Sequence, residues 1–275
     1  MRSPHCAALL SVVCAANAQP ADPTLTFEVA SIKVAAPLSE PNRRSSDPGR
    51  FNRRDTPLYT LIVTAYHLQG FEFSGPSWLT SARFDVVAKV PEGATEAQQR
   101  VMLQNLLAER FGLKVHREKR ELPVYDLVIA KGGVQFKEYV PPPPPKEGEP
   151  PPAPAKFSLD ADGYPISHPG GGWLSSGGKW SLHDYITIET LARRLAGMTQ
   201  RWVSDETGLK GKYDVTMRWA MGTGPPEADA ADSPDGGGPG LFAALQSQLG
   251  LKLESKKGLV EVLVVDHCEK IPAEN

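Results

Sequence analysis

The sequence predicts an α+β fold: two related modules of mixed or antiparallel sheet, each with helices packed on one face, joined by a Pro/Gly-rich linker. Three observations predict it. First, one pattern occurs twice. Gly49-Arg50-Phe51, an apolar helix and Phe84-Asp85-Val86 are answered by Gly178-Lys179-Trp180, a helix and Tyr213-Asp214-Val215. Second, each copy continues into a Leu-rich helix with a glycine terminator, at Gly112-Leu113-Lys114-Val115 and Gly250-Leu251-Lys252-Leu253, and then an apolar run, residues 124–130 and 260–265. Third, the strand candidates alternate with period two and sit close enough for hairpins, which favours mixed or antiparallel pairing. Two copies point to a pair of modules, since a stacked array needs more repeats to bury its core.

The expected boundaries are a signal peptide at 1–18, a first module at 25–139, the linker at 140–177 and a second module at 178–271 with a low-complexity insertion at 222–240. Arg2 supplies the positive start of the signal. Residues 7–16 are apolar but too short to span a bilayer, and Ala16-Asn17-Ala18 fits the small-x-small cleavage pattern. The mature chain is expected to begin at Gln19 and to be secreted or periplasmic, with no transmembrane segment. Cleavage would remove Cys6 and Cys14, leaving Cys268 and no intrachain disulfide. Cys268 lies just past the last strand and close to the tail, a poor place for a nucleophile.

Taken in order, residues 27–34 alternate as a first strand and 37–49 form a polar loop. A short strand is expected at 50–54. Pro57 is tolerated in a first helical turn, where its missing N–H would be unsatisfied anyway. A helix follows over 58–66, then a short strand at 71–74. Residues 84–90 alternate strictly, with Phe84, Val86, Ala88 and Val90 on one face and Asp85 and Lys89 on the other. The clearest helix spans 95–111. Thr95 and Gln98 form a capping box, Met102, Leu103, Leu106, Leu107 and Phe111 make an apolar stripe, and Gly112 ends it. Residues 113–117 and 124–130 read as a hairpin with Pro123 at the second strand's start.

The proline run at 141–145 favours extended polyproline geometry, so 140–177 reads as a spacer that becomes Gly-rich near its end. In the second module a helix is expected over 187–198, with Ile188, Leu191 and Leu195 on one face. A strand is expected at 213–219, a short helix at 241–249, and a closing hairpin from 251–255 and 260–266.

Two resemblances follow from particular residues. The stretch 191–266, in particular Thr207-Gly208-Leu209-Lys210-Gly211-Lys212-Tyr213, resembles the short N-terminal domain of secretins and TonB-dependent receptors, which implies a role in protein contacts. Phe27-Glu28-Val29-Ala30-Ser31-Ile32-Lys33, Gly75-Pro76-Ser77-Trp78-Leu79, Arg83-Phe84-Asp85-Val86, Leu122-Pro123-Val124-Tyr125 and Asp205-Glu206-Thr207-Gly208-Leu209 resemble a family of secreted soil-bacterial proteins classed as a domain of unknown function. That family carries no assigned reaction, so the resemblance transfers no catalytic residue. Fusion of some relatives to antibiotic-sensor-type membrane metallopeptidases implies extracytoplasmic sensing or partner binding.

The sequence assigns no catalytic, cofactor-binding or metal-ligating residue. There is no Gly-x-Ser-x-Gly elbow, no His-Glu-x-x-His and no paired-cysteine zinc pattern. Gly170-Gly171-Gly172 lacks the strand and helix that a dinucleotide loop needs. A formal charge of −2 gives no general pull towards nucleic acid. Asp85 and Asp214 occupy matching positions and are expected to be outward strand residues, pairing with Lys89 or Arg218. The candidate partner-binding residues are Trp173, in a Gly-rich segment with no evident sheet to pack on, and the basic cluster Arg43, Arg44, Arg50, Arg53 and Arg54. The expected function is an exported, non-catalytic binding or sensing module with an envelope protein as candidate partner. The alternative is an exported hydrolase with a site between the modules.

Overall fold

The structure is a computed structural model that describes residues 22, 24–35, 49–141, 156–220 and 238–274. The signal peptide, Arg43, Arg44, most of the proline-rich stretch and all but the last residues of the 222–240 insertion lie outside the described residues. The fold is α+β, with mixed sheets and, among the described residues, four α-helices. The chain divides into two compact units, Met1–Arg120 with Leu259–Asn275, and Glu121–Gly258.

In the first unit, β1 (Val29–Val34) and β2 (Arg50–Pro57) lead to α1 (Leu58–Tyr66), the two-residue β3 (Phe73–Ser74), β4 (Arg83–Lys89) and α2 (Glu96–Phe111). β4 lies between β1 and β2 and pairs antiparallel with both. Its alternation works as expected: Phe84, Val86 and Ala88 are buried, while Asp85, Val87 and Lys89 are not. α1 contributes Leu58, Leu61, Ile62 and Ala65 to the same core, and α2 contributes Met102, Leu103, Leu106, Leu107 and Phe111. The Phe84 and Phe111 rings meet edge to face at 4.9 Å. Each such large apolar side chain taken out of water stabilises the fold by roughly 1.5–3 kcal/mol.

Local signals explain the helix ends. Thr95 Oγ1 accepts from the Gln98 N–H at 3.2 Å, and the Thr95 N–H donates to Gln98 Oε1 at 2.9 Å, which completes the expected capping box. Pro57 ends β2 and sits at the N-cap of α1 rather than inside its first turn. Only Phe73–Ser74 of the expected 71–74 strand is extended. Gly70–Glu72 is a tight turn, held because the Gln69 N–H donates to Glu72 Oε2 at 2.6 Å.

Neither expected hairpin forms. β5 (Lys114–Ile129) is one strand of 16 residues, and the last strand, Leu251–His267, is one of 17. The charged stretch at 118–121 contains no Gly or Asn that would allow a tight reversal. Charges along both strands meet partners instead: Arg117 with Glu261 at 2.6 Å and His116 with Asp266 at 2.8 Å in the first unit, and Lys256 with Asp126 at 2.6 Å in the second. Pro123 is exposed within the strand, where one missing N–H is tolerated.

The second unit holds β6 (Lys137–Glu138), β7 (Gly172–Ser176), β8 (Lys179–Ile186), α3 (Ile188–Thr199), β9 (Val203–Asp205), β10 (Tyr213–Ala220) and α4 (Leu241–Ala244). A π-helical turn, Leu245–Leu249, extends α4, and β11 (Leu251–His267) closes the chain. The sheet of this unit runs β6-β10-β8-β7, and β9 pairs parallel with Tyr125–Leu127 of β5; in the first unit β3 pairs parallel with Leu263 and Val264 of β11. Val215, Met217 and Trp219 of β10, Leu182 of β8, and Leu191 and Leu195 of α3 are all buried in this unit.

The described part of the expected linker, 156–177, is built into this unit. β7 pairs antiparallel with β8, and Leu159 bridges Pro165. Gly177 (φ 56°) and Gly178 (φ 80°) form the two-residue connection between β7 and β8. Both take the left-handed conformation that such a hairpin turn demands and that glycine adopts without a steric penalty.

Candidate functional site

In the first unit β2, the C-terminal end of α1 and the first half of α2 enclose a cleft of about 430 Å³. Its floor is apolar: Phe51 from β2, Val63 and Leu68 at the end of α1, and Leu103 from α2. The polar side chains lining it among the described residues are Arg53, Thr64, His67, Glu96, Gln99 and Arg100. The Arg53 guanidinium lies 4.7 Å from the centre of the Phe51 ring, a cation–π contact, and its Nη1 donates to Asn52 O at 3.0 Å. Gln104 Nε2 donates to Ala65 O at 2.8 Å and fixes α2 against α1.

His67 stands at the end of α1 with φ 54° and ψ 46°. Its N–H donates to Thr64 O at 3.3 Å, and the Leu68 N–H reaches back to Val63 O at 3.0 Å. These two bonds make a Schellman ending, whose left-handed residue is ordinarily glycine. α2 follows that rule with Gly112, at φ 57°. A side chain in this conformation costs roughly 1–2 kcal/mol, so α1 stores strain at the cleft wall that α2 avoids.

The sequence-derived candidates distribute unevenly. Arg53 lines the cleft, while Arg50 and Arg54 are exposed on β2. Arg43 and Arg44 lie outside the described residues. Trp173 belongs to β7 of the second unit, so a sheet to pack on does exist. Its ring meets Trp219 edge to face at 5.1 Å, and the Arg194 guanidinium lies 5.5 Å from its centre. Its indole nitrogen is buried without a hydrogen-bond acceptor among the described residues.

The matched aspartates have different partners from those expected. Asp85 Oδ1 accepts the Asp55 N–H at 2.7 Å, and Lys89 pairs with Glu28 at 2.5 Å. Asp214 pairs with His183 Nε2 at 3.1 Å, and Arg218 with Asp160. The His183 pair lies beside Tyr185, whose hydroxyl burial pushes up in pKa, with Asp214 adding to the shift, and Tyr185 packs on Tyr139 at 4.1 Å.

A second cavity, about 420 Å³, is lined by Tyr164, Lys179 and Arg218. Both cations lie over the Tyr164 ring, at 5.1 and 5.6 Å, and both also bond to the loop that carries it: Lys179 Nζ donates to Asp162 O, and Arg218 pairs with Asp160. The Tyr164 N–H, first among its neighbours, holds the Asp160 carboxyl below the usual range. These charges fasten the loop to the sheet.

Among the described residues no three His, Cys, Asp or Glu side chains are grouped to hold a metal ion, and no helix is long and apolar enough to cross a membrane. Cys268 is half-buried, and burial, with Glu269 beside it, pushes its thiol up to about 11.

The signal for the cleft that sequence reading missed is at positions 67 and 68. A helix ending without Gly or Asn after Tyr66 implies a strained residue. No curated protein and no solved structure matches the chain, so the likeness to secretin and TonB-receptor domains has no counterpart there. A family model described as "Protein of unknown function (DUF3738)" matches residues 59–268, well over half of the sequence and spanning α1 to the end of β11, and the chain therefore belongs to that family.

Proposed function

We propose that this chain is an exported, non-catalytic binding or sensing module and that the cleft between β2, α1 and α2 is its ligand site. The observation that carries the reading is the strained His67 on the wall of a cavity with an apolar floor. Strain of this kind persists where the surrounding structure imposes it, and it concentrates at binding and catalytic positions. A volume of about 430 Å³ falls in the range of small-ligand sites, which combine apolar lining with a few convergent polar groups. The export reading is supported by the signal-like residues 1–18.

The test is a thermal-shift screen of the chain from Gln19 onward against organic acids, amines, sugars and short peptides, with His67→Gly alongside. Glycine relieves the strain, so the variant is expected to melt higher while responding less to the ligand. A hit should also move the backbone amide signals of 51–68 and 96–103. If no compound class moves those signals, the cleft is not a ligand site and the reading fails.

The hydrolase alternative draws on the His183–Asp214 pair. Ester or amide turnover by the same preparation, lost in His183→Ala, would establish it in place of the binding reading.

A further inference from the structure

We infer that the outer edge of β7 is an interface at which a second copy of this chain adds its own β7 antiparallel, making one sheet of the two. β7 ends the sheet of the second unit and pairs with β8 alone. The direction of its backbone groups follows from the far side of that sheet. Gln248 Oε1 accepts the Arg218 N–H at 2.9 Å and Gln248 Nε2 donates to Arg218 O at 2.7 Å, so both backbone groups of Arg218 point away from β8. Bonded pairs alternate along an antiparallel ladder. Met217 and Trp219 therefore bond to Leu182 and Trp180, and Ser181 turns towards β7 to meet Leu174. Trp173 and Ser175 are left with their N–H and C=O groups directed outward. The turn at Gly177-Gly178 gives the same phase, because residues flanking a two-residue turn, here Ser176 and Lys179, bond to each other.

The sheet treats its two sides differently. On the β10 side, β6 pairs with Tyr213 and Asp214, the Gln248 amide takes both backbone groups of Arg218, and Pro239 O accepts the Ala220 N–H at 2.9 Å. Edge strands are ordinarily shielded in such ways, or by charge, proline or a bulge. β7 reads Gly172-Trp173-Leu174-Ser175-Ser176, without charge or proline, and its register with β8 is unbroken. Among the described residues nothing bonds to the outward groups of Trp173 and Ser175. Ser175 is exposed, while the Trp173 ring is held from inside by Trp219 at 5.1 Å. The strand is thus fixed before it pairs, which lowers the ordering cost of pairing.

Symmetry and charge select the occupant. The outward residues lie evenly on either side of Leu174. Two copies related by a twofold axis at Leu174 set Trp173 of each opposite Ser175 of the other, so the outward N–H and C=O groups of both strands are all paired. The two Leu174 side chains meet across the axis on the face opposite Trp173. A charged strand would repel its own copy here; β7 carries no charge, and so also offers none to select an acidic or basic foreign strand. The covers on the β10 side oppose further addition there, so the assembly stops at two. A five-residue strand makes a small interface, and the pairing therefore depends on concentration.

The experiment is sedimentation equilibrium of the chain from Gln19 onward between about 10 μM and about 1 mM, together with amide hydrogen exchange read by NMR at both ends of that range. The mass is expected to rise from one copy towards two. The amides of Trp173 and Ser175 should exchange fast in the dilute sample and slowly in the concentrated one, whereas those of Leu174 and Ser176, bonded to β8, should be slow in both. Ser175→Pro removes an outward N–H that the single copy does not use, so the fold is retained and the dimer is expected to weaken at least about tenfold. Leu174→Lys keeps every backbone bond and sets two like charges across the axis. It should weaken the dimer in low salt and less so in high salt.

A chain that stays a single copy at the top of the range would overturn the inference. So would a dimer in which Trp173 and Ser175 still exchange fast, since the copies would then meet elsewhere. Slow exchange of these two amides at every concentration would show that the edge is covered by its own chain, and would overturn it as well. The exchange pattern is read on the unaltered protein, so the outcome does not depend on either variant folding.

Discussion

Asp85 Oδ1 accepts the backbone N–H of Asp55 at 2.7 Å and thereby holds a left-handed residue, φ 45°, inside β2. The pairing of β2 with β4 slips between Arg53 and Thr56, so Asp55 lies in a bulge. Arg83 grips the Asp55 carboxylate with Nε at 2.7 Å and Nη2 at 2.9 Å, which keeps that carboxyl below the usual range. Removing the Asp85 acceptor leaves a half-buried N–H unpaired. Asp85→Ala is expected to lower stability by about 1–2 kcal/mol, and Asp85→Asn, which keeps an oxygen there, by less than half of that. Urea unfolding checks this; equal losses for the two variants would mean that the hydrogen bond is not what holds the bulge.

Two glycines that end helices in the same way should respond very differently to alanine. Gly112 has φ 57°, and a β-carbon there would meet the His267 ring no closer than 3.7 Å. Only the backbone conformation opposes Gly112→Ala, a loss of roughly 1–2 kcal/mol. Gly250 has φ 66°, and its β-carbon would fall 1.8 Å from Gly133 O, a backbone atom that cannot move aside alone. Gly250→Ala is expected to lose about 4 kcal/mol or more, at the far end of single-residue effects. Thermal unfolding followed by circular dichroism compares them, and similar losses would refute the steric account.

Both terminators, the α2 capping box and the alternation of β4 and β10 were legible because each depends on residues adjacent in sequence. The long strands were not. Nothing local distinguishes two short strands and a turn from one strand whose middle is charged. The difference lies in partners over a hundred residues away, such as Glu261 for Arg117 and Asp126 for Lys256. Gly177-Gly178 was legible in principle, since paired glycines between alternating residues form a two-residue hairpin turn, but the surrounding Pro and Gly content masked it. The cleft was half legible. Arg53 stood out by charge, whereas His67 and Arg100 come to the same cavity from two helices that meet through their buried apolar faces and the Gln104–Ala65 bond.

Cys268 should be chemically quiet. Its thiol is raised to about 11, by burial first and by the Glu269 charge second. The thiolate is the reactive form, and at pH 8 roughly one thiol in a thousand would be ionised. Alkylation by iodoacetamide at that pH is expected to be at least about 100-fold slower in the native protein than in urea, where the ordinary value near 8.5 returns. Equal rates would show that the side chain is not buried as described.

His116 should make the first unit's stability depend on pH. Its Nδ1 donates to Asp266 Oδ1 at 2.8 Å, and Glu118 lies 3.7 Å from Nε2. The Asp266 hydrogen bond, ahead of the Glu118 contact, raises the imidazole above its ordinary value. The folded state therefore holds this proton more tightly than the unfolded chain. The stabilisation is fully present below the unfolded value of about 6.5 and is lost as pH rises through the higher folded value. The ring is exposed, so the change is small and sensitive to salt. An NMR titration should place the His116 midpoint above that of an unfolded reference peptide. Asp266→Asn should bring it most of the way back, and Glu118→Gln less far. A midpoint that Asp266→Asn leaves in place would show that the β5–β11 pair does not control the ring.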